Sequence, residues 1–280
     1  MRLTYDIGTL VPYINWVYFY FAWQLKGEAE QQRMRDEAES FLTSLADRYK
    51  AHAVFQIVDA HAEDDDIVVN GEGLMVKGEG RIPLLRQQAA DSQFLCLSDF
   101  VSPLTSHLSP LTSHLLPLTS KIALFATSVD AGMETDFDAD PYQKMMAQLL
   151  ADRLAEAAAE RLHEEVRKHY WGYAKDEQLS IGDMLQEHFQ GIRPAVGYPS
   201  LPDTSLNFVL DELLDMQQIG IRLTESGAMR PHASVSGLML AHPKARYFSV
   251  GKIGEDQLQD YARRRQMPVE TIRKFLSANL

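Results

Sequence analysis

The feature that most constrains this chain is the order of its strand-like and helix-like segments, which come in blocks and not in β-α-β alternation. That order points to an α+β fold. Residues 28–50 read as an amphipathic helix, with Met34, Ala38, Phe41, Leu42 and Leu45 near helical spacing. Residues 53–60 and 66–70 are predicted strands, and Gly71-Glu72-Gly73 predicts a hairpin into residues 74–77. Residues 94–100 and 121–128 add two apolar strands. The longest predicted helix covers residues 141–170, with an apolar stripe of Leu150, Leu154, Ala158, Leu162 and Val166 and with Pro141 suited to its first turn.

Beyond it, residues 180–189 predict a short helix and residues 191–202 an irregular segment, before a helix over 206–216. Residues 221–224, 233–240 and 247–253 predict sheet strands, and helices over 256–265 and 268–278 close the chain. No proline- or glycine-rich linker separates two halves, so residues 1–280 are read as one domain. Inside it, Ser-Pro-Leu-Thr-Ser-His-Leu recurs in tandem across residues 102–121, with a degraded third copy. A proline in every copy forbids a coiled coil. The repeat is read as a duplication that lengthened a surface loop, because loops tolerate insertion at little entropic cost.

Composition narrows the function classes. The single cysteine, Cys96, excludes an intrachain disulfide and a cysteine-held iron–sulfur cluster, and it suits a cytoplasmic setting. A formal net charge of −12 argues against generic attraction to nucleic acid or to an anionic membrane. Arg263-Arg264-Arg265 is the one basic cluster. The aromatic run over residues 10–25 contains Pro12 and Asn15 and falls short of the roughly 20 apolar residues of a spanning helix, so it is read as a buried segment. No phosphate-binding loop, His-x3-His helix or Gly-x-Ser-x-Gly elbow occurs, and the glycines near residue 71 lack dinucleotide spacing. Asp64-Asp65-Asp66 reads as a solvated acidic turn. No nucleophile or general base stands out.

What remains is Gly191-Ile192-Arg193-Pro194-Ala195-Val196-Gly197-Tyr198-Pro199. Two prolines stiffen it, Gly197 permits a strained turn, and Arg193 offers a planar fork that matches a carboxylate. On chemistry alone two readings stand: a rigid crossover whose arginine pairs with a neighbouring glutamate, or a ligand site.

This loop resembles the signature of the activation domain of vitamin B12-dependent methionine synthase. The likeness includes Leu223-Thr224-Glu225-Ser226, Ala233-Ser234-Val235-Ser236-Gly237, His242-Pro243 and Tyr247-Phe248. Upstream it includes Tyr13-Ile14-Asn15-Trp16, Cys96-Leu97-Ser98-Asp99-Phe100-Val101, Asp152-Arg153-Leu154-Ala155-Glu156 and Trp171-Gly172-Tyr173, in the family's order over essentially the whole chain. The resemblance implies a single C-shaped α+β domain around a central twisted antiparallel sheet flanked by helices. It implies a module that binds S-adenosylmethionine and presents it to cobalamin on a partner, with an electron from a flavodoxin-like donor.

Carried over residue by residue, the family's ligand contacts fall on Arg193 for the α-carboxylate, on Glu156, Tyr198 and Tyr247 for the cationic parts, and on the backbone of Ala195 and Gly197. Phe248 and Asn15 complete the set, and Glu187 is expected to support Arg193. Read without the family, Glu156 is a solvated helix face and Tyr247 a sheet-packing residue. Two departures matter: Asn15 stands where the family usually has Asp, and Thr204-Ser205-Leu206-Asn207 replaces a His-Thr-Glu-Lys stretch. The chain has no corrinoid-binding Asp-x-His-x-x-Gly pattern, methyl-transfer barrel or zinc site, so it is expected to work in trans with a cobalamin-binding methionine synthase core. The alternatives are a sensing or docking module for another corrinoid methyltransferase, or a scaffold without ligand.

Overall fold

The structure, a computed structural model, describes residues 1–70, 79–89, 93–103 and 120–280. The predicted strand over residues 74–77 and most of the 102–121 repeat lie outside the described residues. The chain is an α+β protein built on a six-stranded sheet in which every pairing is antiparallel. Strand β1 (Arg2–Asp6) pairs with the long β2 (Lys50–Glu63), whose far end pairs with β3 (Asp66–Asn70), and β3 pairs with β4 (Glu79–Pro83). On its other edge β2 pairs with β5 (Lys121–Val129). A separate two-stranded ladder joins β6 (Arg222–Leu223) to β7 (Met229–Arg230), and β8 (Ser234–Met239) closes the main sheet against β5.

Strand periodicity divides the core into two faces. Ala53 and Phe55 of β2, with Ala123 and Phe125 of β5, enter one apolar cluster. Val54 and Val58, with Ile122, Leu124 and Ala126, enter the other. Alternate side chains leave a pleated strand on opposite faces, so a central strand covered on both sides reads as an unbroken apolar run. The first face is covered by α1 (Ile7–Leu10), α2 (Trp16–Ala22), α3 (Glu28–Leu45), α4 (Gly132–Thr135), α5 (Pro141–Glu165) and α6 (Ile181–Leu185). The second is covered by α7 (Leu206–Leu214). Helices α8 (Glu255–Arg264) and α9 (Val269–Phe275) form a third cluster with Leu85 and Val250.

Helix α5 organises the first face. The Asp140 side chain accepts from the amides of Tyr142 and Gln143, and Pro141 occupies the first turn, where no intrahelical donor is needed. Ala151, Ala155, Ala158 and Ala159 are buried, so the helix lies close against the sheet, and Thr127 of β5 donates its hydroxyl to the Ala155 carbonyl at 3.0 Å. The helix ends in a π turn over Val166–Tyr170.

Several expectations are corrected. Residues 247–253 form no strand, because the edge of β8 is taken by the 192–196 segment instead. Residues 94–100 form a short 3-10 turn at Leu97–Phe100, closed by Asp99 accepting from the Cys96 amide. The first long helix stops at Leu45, and Lys50 already opens β2. The 10–25 run is only partly buried: Leu10, Tyr13, Trp16 and Phe19 face inward, while Val17, Tyr18 and Phe21 are exposed on α2. The acidic turn is not solvated as a whole, since Asp66 is 2% exposed and bonds Arg81 and Arg264, and Asp65 pairs with Arg86. The basic cluster is likewise internal in part: Arg264 pairs with Asp66 and Asp260, and Arg265 pairs with the buried Asp203. Among the described residues, no helix is long and apolar enough to cross a membrane.

Candidate functional site

The 191–199 loop runs as a strap along β8. Ile192 and Leu240 exchange amide–carbonyl bonds of 2.9 Å, the Val196 amide donates to Ser236 (2.9 Å), and the Leu238 amide donates to Pro194 (3.0 Å). Pro194 lacks a donor but offers its carbonyl, which is the only role the ladder asks of it there. The approach is close because Gly237 has no side chain: a Cβ there would stand 2.2 Å from the Pro194 oxygen. At the far end Gly197 turns with φ +88°, and its amide donates to Leu201 at 2.8 Å.

The strap sends Arg193 toward α5. Its side chain is 11% exposed, with Nη2 donating to Glu160 Oε2 at 2.9 Å and the guanidinium 5.9 Å from the Phe125 ring. Its backbone amide donates to the Tyr247 hydroxyl at 2.9 Å. Burial pushes the Tyr247 hydroxyl up to about 12, with Arg193 drawing it back. Tyr198, half exposed, donates to Glu156; burial, then the Glu156 carboxylate, raises its titration. Glu156 is therefore half-buried and bonded, not the solvated residue that helix periodicity suggested. Glu187, in a left-handed backbone turn, sits where burial and then the Glu160 charge raise its carboxyl above the usual range.

Most of the expected residues thus converge: Arg193, Glu156, Tyr198, Tyr247 and Glu187 meet around the α5 face. Ala195 packs its methyl into the first cluster, and its carbonyl accepts from the Tyr198 amide. Asn15 stands at the start of α2, which packs on α5, and its amide oxygen caps that helix by accepting from Val17 at 3.2 Å. Phe248 holds the strap's far end through its backbone, which exchanges bonds with the Ser200 hydroxyl, while its ring packs into the second and third clusters. The 204–207 departure is mostly internal: Ser205, Leu206 and Asn207 are buried, and Asn207 ties Gly227 to Ser236.

Sequence reading missed the buried layer beneath the strap. Arg167 makes a bidentate pair with Glu177 (2.7 and 2.9 Å), lies 4.3 Å from the Phe189 ring and is fully buried. His163, also fully buried, bonds the Tyr173 hydroxyl at 3.3 Å. Burial, then Arg167 and Arg193, hold this imidazole well below its usual range, so it is neutral. The signal was present: Glu156, Glu160, His163 and Arg167 recur at i, i+4, i+7 and i+11, a polar stripe along one helix face. Four buried polar atoms there lack a partner among the described residues: Glu160 Oε1, His163 Nδ1, Arg167 Nη1 and Arg193 Nε. Such atoms are rare in folded proteins and mark places that water or a ligand completes.

Chemically, the arrangement offers a cationic fork, several carboxylates and tyrosine faces, a set that matches a zwitterion carrying extra positive charge. It offers no activated nucleophile, and no group of three or more metal-binding side chains occurs among the described residues.

The chain is similar to a solved structure described as the crystal structure of the MetH reactivation domain bound to AdoHcy. The two share 37% identity and a TM-score of 0.88, over 100% of this chain and 90% of that one. The family model for the activation domain of vitamin B12-dependent methionine synthase matches residues 6–266. With strap, sheet and sequence agreeing, the chain belongs to the family of vitamin B12-dependent methionine synthase activation domains.

Proposed function

We propose that this chain is the reactivation subunit of a split cobalamin-dependent methionine synthase, with residues 1–280 acting as one S-adenosylmethionine-binding domain. The observation that carries this reading is Arg193, a nearly buried guanidinium held on a rigid strap and paired through a single nitrogen. An arginine engaged on one tine keeps further N–H donors for a carboxylate. Arg193 would hold the ligand's α-carboxylate. Glu156, with Tyr198 and Tyr247, would hold its cationic parts, and Ala195 and Gly197 would frame it with backbone. Binding of AdoHcy by the structural relative supports the same assignment.

When bound, S-adenosylmethionine supplies the methyl group for reductive methylation of a cobalamin carried by the partner. The chain's own contribution is to bind, orient and present. The partner is a cobalamin-binding methionine synthase core acting in trans in the cytoplasm, and the electron comes from a flavodoxin-like donor. Calorimetric titration with S-adenosylmethionine tests the reading. Saturable binding lost in Arg193→Ala supports it, and reconstitution with a cobalamin-bearing core then tests the partnership. A folded chain that does not bind is a docking scaffold, and Asn15, capping its own helix, is the first residue to examine.

A further inference from the structure

Among the described residues Arg193 has three carboxylates within electrostatic reach but bonds only one. Glu156 takes the Tyr198 hydroxyl, and Glu187 feels the charges of Glu160 and Arg193 without a hydrogen bond to either. Glu160 is therefore the counter-charge of Arg193. Among the described residues no second cation bonds it: Arg167 is held on Glu177 by three contacts of 2.7–3.1 Å, and His163 is neutral. The remaining cation nearby, Arg153, lies over the Tyr18 ring at 5.5 Å and reaches the site only as a distant charge on Tyr198.

Charge counting then gives a surplus. Arg153, Arg167 and Arg193 face Glu156, Glu160, Glu177 and Glu187, with Asp152 also acting on Arg153, around a neutral histidine. A ligand carboxylate that engages Arg193 deepens the surplus, because Glu160 loses sole claim on that guanidinium. The side chain is poised for that exchange: Glu160 is 10% exposed, and its Oε1 is buried without a partner, as is Arg193 Nε. A carboxylate pushed out of its ion pair in a buried setting needs a new cation.

We infer that Glu160 is a specificity-determining residue that makes the site prefer a cationic sulfonium nucleoside over its neutral thioether product. This rests on the S-adenosylmethionine reading above. S-adenosylmethionine carries one positive charge more than S-adenosylhomocysteine, and the surplus carboxylate rewards that charge alone. The shared carboxylate, ammonium and adenosyl groups cancel in the comparison. A unit charge acting on another across a partly screened site changes affinity on the order of sevenfold.

The test is calorimetric titration of the intact chain with S-adenosylmethionine, S-adenosylhomocysteine and sinefungin, which carries an ammonium in place of the sulfonium. The wild type is expected to bind the two cationic ligands more tightly than the thioether. Glu160→Gln, which keeps shape and removes charge, is expected to shrink that ratio by roughly sevenfold, with Glu160→Asp restoring part of it. Equal weakening of all three ligands by Glu160→Gln would mean a purely structural residue and overturn the inference. The wild-type series decides even if the variants fail to fold: a thioether bound as tightly as both cations sinks it. If the folded wild type binds none of the three, the proposed function fails instead.

Discussion

Replacing Gly237 with alanine tests whether the strap is what builds the site. The new methyl would lie 2.2 Å from the Pro194 oxygen, 2.9 Å from Ala195 Cα and 3.0 Å from the Phe125 ring. An ordinary carbon–oxygen contact is about 3.3 Å or more, so the strap must lift by about 1 Å. Two of the atoms met are backbone and the third belongs to a fully buried ring, so no flexible side chain can yield. Overpacking of this kind costs about 1–3 kcal/mol. Weakening the Val196–Ser236 and Leu238–Pro194 bonds adds about 1 kcal/mol each, for a total of about 3–5 kcal/mol. Unfolding entropy near 2.1 cal/mol/K per residue gives a chain of this length about 0.6 kcal/mol per degree, so melting should fall by about 5–8 °C. Arg193 rides on the same strap, and a displacement near 1 Å should weaken S-adenosylmethionine binding by at least about tenfold. Differential scanning calorimetry and titration on one preparation measure both. Unchanged melting and unchanged affinity together would refute the account of Gly237 as the residue that lets the strap dock.

Arg167→Met should destabilise by about 3–5 kcal/mol in urea denaturation, because it leaves Glu177 buried without its partner. Adding Glu177→Leu should recover much of that loss, and failure to do so would show that the pair is not the reason. Because His163 is neutral when folded but titrates near the ordinary imidazole value of about 6.5 when unfolded, the unfolded chain binds the extra proton at lower pH. Stability is therefore level above that value and falls as pH drops through it, by at most about 1.4 kcal/mol per pH unit, and His163→Phe should remove that slope from denaturation curves measured between pH 7 and 5. Asn15→Asp should leave melting nearly unchanged, since both residues cap helices equally well. If Asn15 faces the ligand's ammonium, that variant should also tighten S-adenosylmethionine binding several-fold, and equal affinity would place residue 15 outside the site.

The sequence by itself determined the α+β class, the long helix begun by Pro141 and strands β2, β3, β5, β6 and β8, but not β1, β4 or β7. These follow from local periodicity and capping, which are written within a few residues of each element. It also singled out the strap, because two prolines, two glycines and an arginine in nine positions leave few conformations. Only the tertiary structure decided which residues face Arg193. Glu160 and Glu156 are one turn apart on the same helix, and periodicity alone assigned Glu156 to solvent. What bonds them is a strap some forty residues later, brought over α5 by Gly237 at the edge of β8. The same logic governs residues 247–253, whose strand-like composition yields no strand because the edge they would need is already occupied. His163 and Arg167 read locally as an ordinary helix. Their burial, and with it the neutrality of His163, depends on Tyr173, Glu177 and Phe189 folding back across them. Local pattern records what a segment prefers to be, whereas pairing, burial and charge are properties of what it is packed against.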